Sequence, residues 1–486
     1  MSRVPFAGYP ASPVDEAVDP AGRLRAPYAV LGPALEGLGE AGLAAALPVL
    51  ATAREVRGVT VGSWSDGRQT VRPLPLDPFP RVLGATEWAA VAAGVEQRTR
   101  ALNAFLADAY RAAGRRRGDA DRAPEVVRAG VLPEWAVAHS PARDPDAVGM
   151  AWPGQPRATV AATDVLRTGD GRWLAATDHL RTPAGLGYAM ANRESARGAL
   201  PELFDGVAPA DPADAVSVLR AGLATAAPPA CPGAPRIAVL TAGESDNAWF
   251  EHRLLADALG VPLVRAGHLW PRLDGGVEAA VGGDRLPIDV LYRRFDDGML
   301  GAFRTPIGQA LDLLLAEAVR SGRLGLANVP GNGLADDAAT YAWVPELIRF
   351  YLGEEPLLGS VRTWVLADAE QWAQVRDRLH ELVLKPVAGY GGRGTVFGPA
   401  CSAAELAALQ AEVAAGPHRF VAQEPVAAST VPTVVDGILQ PRRVDLRVFA
   451  VAGRGGTARA LRAPLTRVAV GAFGSGRAAK DTWLLD

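Results

Sequence analysis

The residues whose types and spacing suggest chemistry begin at "ELVLKPVAGYGGRGTVFGP", residues 381–399. Lys385 is one of two lysines in the chain; the other is Lys480. Lys385 ends a short apolar strand-like run. Gly389, Gly391, Gly392 and Gly394 follow, and "TVF" then resumes strand character. A glycine loop between two strands lets backbone N–H groups approach phosphate oxygens, because no Cβ holds them off. A lysine beside it adds a point charge. The order is strand, lysine, glycines, strand. A Walker A loop has its glycines before the lysine and a helix after it, and a dinucleotide fingerprint also needs a following helix. The chain has no His-Arg-Asp or Asp-Phe-Gly motif of the protein kinases.

Two later stretches could face the same ligand. "RFVAQEPV" places Gln423 and Glu424 at a strand end, a setting from which backbone groups read a purine. "RRVDLRVF" puts Arg443, Asp445 and Arg447 on one strand face by the two-residue period. That face is either internally ion-paired or turned toward phosphate and metal, since unpaired charges are costly to bury. In mid-chain, "YRRFDD" sets Arg293, Arg294, Asp296 and Asp297 at the C-terminal end of a strand, where ligands sit in open α/β sheets. "SDNAWFEHR" sets Asn247 and Glu251 at a helix start, which attracts anions. A capped helix and an ion-paired loop are the plain structural alternatives. Arg181, in "LRTPAG", is expected at the same mouth.

The elements that must position these groups follow from periodicity. Residues 1–28 read as a loose lead-in. Residues 87–114 carry apolar positions at helical spacing, with Thr86 as the expected cap. Residues 159–185 read as two strands around a Gly-Asp-Gly turn. A helix is expected near 211–226 and a linker at 224–235. "RIAVLTAG", "NAWFEHRLLADALG" and "VPLVRAG" then form a β-α-β unit, which implies a parallel sheet. Further strands and helices follow through "LGLANV", and a helix broken near Pro345 comes next. After Lys385 the expected elements are short strands, one helix capped by Ser402, and the strands "QPRRVDLRVFAVAG" and "TARALRAPLTRVAV". The domain expectation is 1–28, 29–223, 236–355 and 356–486.

Bulk properties exclude several classes. With 21% charged residues and a net charge of −3, no global field points to nucleic acid or an anionic membrane. Cys231 and Cys401 are too few for a disulfide framework or zinc cluster and fit a reducing compartment. Apolar runs such as "AGLAAALPVLATA" are short and contain proline. The expectation is a cytoplasmic protein with neither nucleic-acid nor membrane partners.

From about Pro73 onward the chain resembles the circularly permuted ATP-grasp family, type 2. The resemblance is carried by "PLDPFPRVL", "QRTRALNAFLADAY", "LRTPAGLGYAMANR", "NAWFEHRLLA", "DVLYRRFDD", "VPGNGLADD", "VPELIRFYLGEEPLL", "LVLKPVAGYGGRG", "VDLRVF" and "KDTWLLD", in the family's order. It implies an α/β fold with α+β elements: a permuted ATP-grasp in which the metal-ligand hairpin comes early, a Rossmann-like pre-ATP-grasp layer lies in the middle and the glycine loop comes late. It implies ATP and Mg2+ as cofactors, and an acyl phosphate that an amine attacks. Carried onto this sequence, Lys385 and the glycines bind phosphate, and Gln423, Glu424 and Val426 form the adenine hinge. Asp445 and Arg447 face the triphosphate. Lys480 anchors phosphate or substrate, and Asp164 and Asp178 hold the metal. It also implies carboxylate and amine substrates and a small helical partner of the alpha-E type.

The chain departs from that pattern in its metal half. Thr177, Asp178 and His179 stand where the family reads Glu-Asp-Asn, and Ala338 stands where a lysine is usual. Magnesium prefers hard oxygen ligands, which threonine and histidine supply poorly. Two functions are therefore expected as alternatives: an ATP-dependent carboxylate–amine ligase, or a relative that binds nucleotide or acts as a scaffold without turnover.

Overall fold

The computed structural model describes residues 8–65, 68–111, 123–229, 231–389, 394–470 and 476–486. The described chain starts with helix α1 (Gly32–Val56), hairpin β1 (Thr60–Ser65) and β2 (Arg68–Pro73), strand β3 (Leu76–Gly84) and helix α2 (Ala85–Ala109). Short helices α3 (Glu125–Arg128) and α4 (Glu134–Ala138) precede hairpin β4 (Val160–Arg167) and β5 (Trp173–His179), then helices α5 (Leu186–Ala199) and α6 (Ala215–Ala224). Next come β6 (Ile237–Leu240), α7 (Trp249–Leu259), β7 (Leu263–Val264), the meander β8 (Leu269–Pro271), β9 (Val277–Val281) and β10 (Asp284–Ile288), β11 (Val290–Arg293), α8 (Leu311–Arg320) and β12 (Gly325–Ala327). Helices α9 (Gly333–Asp336), α10 (Ala338–Ala342) and α11 (Val344–Leu352) lead to β13 (Gly359–Ser360), β14 (Thr363–Val365), α12 (Ala369–Val375), β15 (Val383–Pro386), β16 (Val396–Phe397), α13 (Ala403–Ala415) and β17 (Phe420–Gln423). The last strands are β18 (Thr430–Val435), β19 (Ile438–Gly453), β20 (Thr457–Ala460), β21 (Leu465–Val470) and β22 (Gly476–Leu485).

Three sheets position the candidate residues. The central sheet runs β13-β5-β4-β19-β21-β22-β3, with β18 and β20 paired to the two ends of the long strand β19. A parallel sheet runs β12-β11-β6-β7, and a small antiparallel sheet runs β14-β17-β15-β16. One face of the central sheet packs Val165, Leu446, Val448 and Ala450 on Trp88, Val91 and Val95 of α2. The other packs Val160, Ala162, Phe449 and Leu465 against α5, α6 and the parallel sheet. The small sheet covers one face with α12 and α13 and sets Val365, Val387 and Val421 of the other beside Ala339 of α10. The chain passes from the small sheet to the central sheet through residues 424–429. There Ala428 bridges Thr168, and the Ser429 N–H donates to the Arg167 carbonyl at 2.7 Å.

Much of the expected local structure is present. The β-α-β unit is parallel, the helix breaks at Trp343, two residues before Pro345, into α10 and α11, and Ser402 forms a capping box with Glu405. Elsewhere the structure differs. The lead-in expected to be loose is anchored from residue 8 on: Ala17 and Val18 are buried, and Arg81 grips the Glu16 carboxylate at 2.6 and 2.8 Å inside the fold. Thr86 does not cap α2, which starts two residues earlier than expected, at Ala85 behind Gly84. Pro48 is carried inside α1, and the break falls at Gly39, whose φ of 59° glycine adopts without strain. By length and composition Ala26–Val56 could cross a membrane, yet its Leu35, Leu43 and Ala46 join the core with Phe79 and Val82 of β3. "TARALRAPLTRVAV" splits into β20 and β21 around Pro464. Strands β3 and β22 went unread: Pro78 and Pro80 disguise the first, and charged residues disguise the second.

Candidate functional site

Lys385 lies on β15 directly opposite Val421 of β17, so it shares the small-sheet face turned away from α12 and α13. Its side chain is half-buried, and among the described residues its Nζ has no hydrogen-bond or ion-pair partner. Burial pushes this ammonium down to about 8, and the Asp164 carboxylate opposes that shift. Asp164 belongs to the central sheet and acts electrostatically on Lys385, so the space between the two sheets at this point is the candidate cleft. Gly394 takes a φ of 71° beside Pro386, a conformation that suits glycine. Gly389 closes a turn by donating its N–H to the Pro386 carbonyl at 3.2 Å. Gly391 and Gly392 lie outside the described residues. At the hinge, Gln423 is buried and donates to Thr363 Oγ1 at 3.1 Å, and the Glu424 N–H donates to the Arg362 carbonyl at 3.0 Å. The Val426 carbonyl accepts from Ala428.

The central-sheet side of the cleft is a row of charges. Arg447 donates Nε and Nη2 to Asp164 at 2.7 and 2.9 Å, and Nη1 to the Ala184 carbonyl at 2.9 Å. Arg467 reaches Asp164 Oδ2 at 2.7 Å and holds both Asp445 oxygens at 2.7 and 2.8 Å. His179 Nε2 lies 3.0 Å from Asp164 Oδ2 and 2.9 Å from Arg447 Nη2. Burial favours the neutral acid, but Arg447 and Arg467 outweigh it and hold Asp164 well below the usual carboxylate range. Sequence reading missed Arg467. Its signal was a lone arginine in "LTRVAV", on the same strand face as Leu465.

The expected metal pair is not formed. In the β4–β5 ladder Asp164 stands opposite Thr177, and Thr163 stands opposite Asp178. Side chains alternate between faces, so Asp164 and Asp178 point to opposite sides of the hairpin. Asp178 is 3% exposed and receives Arg98 Nε and Nη2 at 3.0 and 2.5 Å, with Thr163 Oγ1 at 2.8 Å. On the Asp164 side, the Thr177 hydroxyl donates to the Ala176 carbonyl at 2.7 Å. Mg2+ needs about six oxygens in octahedral array. Here every oxygen of Asp164 and Asp445 already accepts from a guanidinium, and among the described residues no group of three acidic, histidine or cysteine side chains could hold a metal. The donor set does not fit the ion that the family resemblance implies.

Other candidates are corrected by burial. Lys480 is 0% exposed; it ion-pairs with Asp77 and donates to the Phe79 and Pro432 carbonyls at 3.0 and 2.7 Å. It faces Thr466 across β21–β22, one position from Arg467, so it points to the other side of the sheet and cannot anchor phosphate in this cleft. Glu251 and Arg294 pair at 3.0 Å, fully enclosed. Glu251 also accepts from the Gly185 and Gly187 N–H groups at 2.7 and 2.9 Å, which fixes the start of α5 and closes it to substrate. Asn247 precedes α7, and its carbonyl accepts from Gly62 at 2.8 Å. The remaining charges do converge at the end of β11. Arg181 reaches Asp296 at 3.0 Å and Asp336 at 2.8 Å. Asp297 accepts from the Gly331 N–H at 2.7 Å. Burial opposes its ionised form, but Arg293, the Gly331 N–H and Arg181 together offset that and hold Asp297 below its ordinary value. Arg293 itself is enclosed, bonded to the Asn328 and Phe295 carbonyls.

A small glycine-hairpin sheet hinged over a larger sheet, with a parallel layer between in sequence, defines an α/β protein of ATP-grasp architecture. A family model described as circularly permuted ATP-grasp type 2 matches residues 80–469, and the chain belongs to that family. It is 40% identical to a protein of Frankia casuarinae that bears the provisional name glutamate–cysteine ligase 2-2, over 97% of this chain and 53% of that protein. A similarly named protein of Frankia alni is also 40% identical, over 100% and 54%. The chain thus spans about half the length of these two relatives. An uncharacterised protein of Mycobacterium tuberculosis is 37% identical over 99% of this chain and 86% of its own. The solved structure of a glutathione synthetase-like effector from Globodera pallida superposes with a TM-score of 0.56 at 11% identity, over 91% of this chain and 97% of that one, which shows the shared fold.

Proposed function

We propose that this chain binds ATP between the small sheet and the central sheet, and that it uses ATP to join a carboxylate to an amine. The observation that carries the reading is the position of Lys385. It leaves the glycine hairpin with no partner among the described residues and faces the Asp164–Arg447–Arg467 row across the cleft. Adenine would lie against the hinge at Gln423, Glu424 and Val426, and the glycine loop would cover the phosphates. Phosphoryl transfer depends chiefly on positioning and charge neutralisation. Lys385, Arg447 and Arg467 would supply the neutralising charge.

In the ligase reaction a carboxylate oxygen attacks the γ-phosphorus and the bond to ADP breaks, giving an acyl phosphate. The amine attacks the acyl carbon, phosphate leaves, and the amine proton passes to solvent. Family membership and the names of the Frankia relatives support an ATP-dependent ligase with small-molecule carboxylate and amine substrates; the acyl phosphate is this reading's own step. At the C-terminal end of the parallel sheet, Arg181 is the candidate for meeting the carboxylate substrate, and Asp296 and Asp297 beside it are the candidates for meeting the amine.

Thr177 and His179 favour a second reading, nucleotide binding without turnover. Release of ADP should be measured with glutamate and cysteine as the first carboxylate–amine pair, with Lys385→Ala as control. ADP release that depends on both substrates supports the ligase. Bound ATP without release with any pair leaves the second reading, and no ATP binding removes both.

A further inference from the structure

The charged row on the central sheet resolves how the phosphates of a nucleotide are met, given the ATP site proposed above. Three side chains on the cleft side of the hairpin would have to carry a divalent ion. Asp164 is engaged by Arg447 and Arg467, and both guanidiniums approach the oxygens that a metal would need. Thr177 is turned onto its own backbone, and His179 lies against Arg447 and Asp164. The next carboxylate, Asp445, is closed by Arg467. An ion placed here would displace two guanidiniums held at hydrogen-bond distance, and it would sit beside their charges in a partly buried setting where such repulsion is strong. Asp178, the other acid on the hairpin's strands, is on the far face in a buried pair with Arg98.

The same row leaves donors available. Arg467 Nη1 and Lys385 Nζ have no hydrogen-bond partner among the described residues. The side chains of Asp164, Arg447 and Arg467 keep 11–15% exposure, so the row is open to the cleft on one side. Guanidinium groups match phosphate geometry and are always charged, and an ammonium adds a point charge.

We propose that this cleft binds its nucleoside triphosphate without a divalent cation, with Arg467, Arg447 and Lys385 in the place that a metal holds in a magnesium-dependent site. The ligand is free ATP, and Mg2+ competes by withdrawing ATP into its own complex.

The test compares ATP affinity of the unaltered chain by calorimetry in excess EDTA and in excess Mg2+. The expected result is binding in EDTA that equals or exceeds binding in Mg2+. Binding more than about fivefold tighter with Mg2+ overturns the inference while leaving the ATP site standing. Absence of binding in both buffers overturns the ATP site itself and the inference with it. Arg467→Gln gives a second measurement, read only if its circular dichroism and melting remain native. Affinity in EDTA is expected to fall about tenfold or more, as for loss of a charge-assisted contact. An unchanged affinity removes Arg467 from the site and overturns the proposal.

Discussion

Arg447 and Asp164 stand directly opposite one another across the β4–β19 ladder, and the guanidinium takes both carboxylate oxygens, at 2.7 and 2.9 Å. Bidentate pairs of this kind fix geometry as well as charge. They join the early hairpin to the late strand of a permuted chain, so the cleft floor is assembled from segments 283 residues apart.

Lys385 should make nucleotide affinity depend on pH above neutrality. Its folded-state pKa is lowered to about 8, so the ammonium is present below that value and is lost above it. Affinity for ATP should fall as pH rises from 7 to 9, by up to about tenfold. Lys385→Arg keeps its charge throughout this range and should flatten the slope, and Lys385→Met should lower affinity at pH 7. A steep decline retained in Lys385→Arg would assign the titration to another group.

Asp178 should behave as half of a buried ion pair. Asp178→Asn leaves the Arg98 guanidinium without its charge partner in a site where Arg98 is 0% exposed. Stability measured by chemical denaturation should drop by about 3–5 kcal/mol. Below the denaturation midpoint, the response of ATP binding to Mg2+ should match that of the unaltered chain. A variant of normal stability with an altered response would restore Asp178 as a metal ligand.

Lys480→Met should separate stability from binding. It strands Asp77, which among the described residues keeps the Phe79 and Val434 N–H groups at 3.0 and 2.8 Å. The expected loss is again about 3–5 kcal/mol. At temperatures where the variant is folded, its ATP affinity should stay within about twofold of the original, less than a phosphate contact contributes.

Asp337 caps α10 by accepting from the Thr340 N–H at 2.6 Å and receives the Ser140 hydroxyl at 2.7 Å. Burial raises its carboxyl to about 6. The folded state therefore binds the proton more tightly than the unfolded state, and the stability this contributes is present below about pH 4 and lost as pH rises through 6. Asp337→Asn keeps a cap without the charge. It should remove this decline between pH 4 and 6 and raise the melting temperature at pH 7. An unchanged pH profile would place the titration elsewhere.

The order strand, lysine, glycines, strand was readable because it is local. So was the β-α-β unit, where each element's period is visible in a dozen residues. Residue choice at Thr177 and His179 already pointed to a weakened metal hairpin. What the residues alone hid was facing. Asp164 and Asp178 look like two acids of one hairpin until the register places Thr163 opposite Asp178. Lys480 looks like a second phosphate lysine until Thr466 is seen opposite it. Arg467 passed as an ordinary strand residue because its importance comes from Asp164, some 300 residues away in sequence, and from β19 between them. Such relations depend on which strands become neighbours, and a permuted order conceals that.

The sheet's connectivity has a consequence for how the chain reaches this state. Strand β3 takes its ladder partner from β22, and the Lys480–Asp77 link spans 403 positions. During synthesis β3 emerges long before its mate, with Phe79 and Val82 still lacking the core they will enter. Closing so distant a pairing is slow, because the loop entropy is lost before the contacts form. Until then the early segment carries apolar surface that has no mate, the condition under which larger chains populate partly folded intermediates.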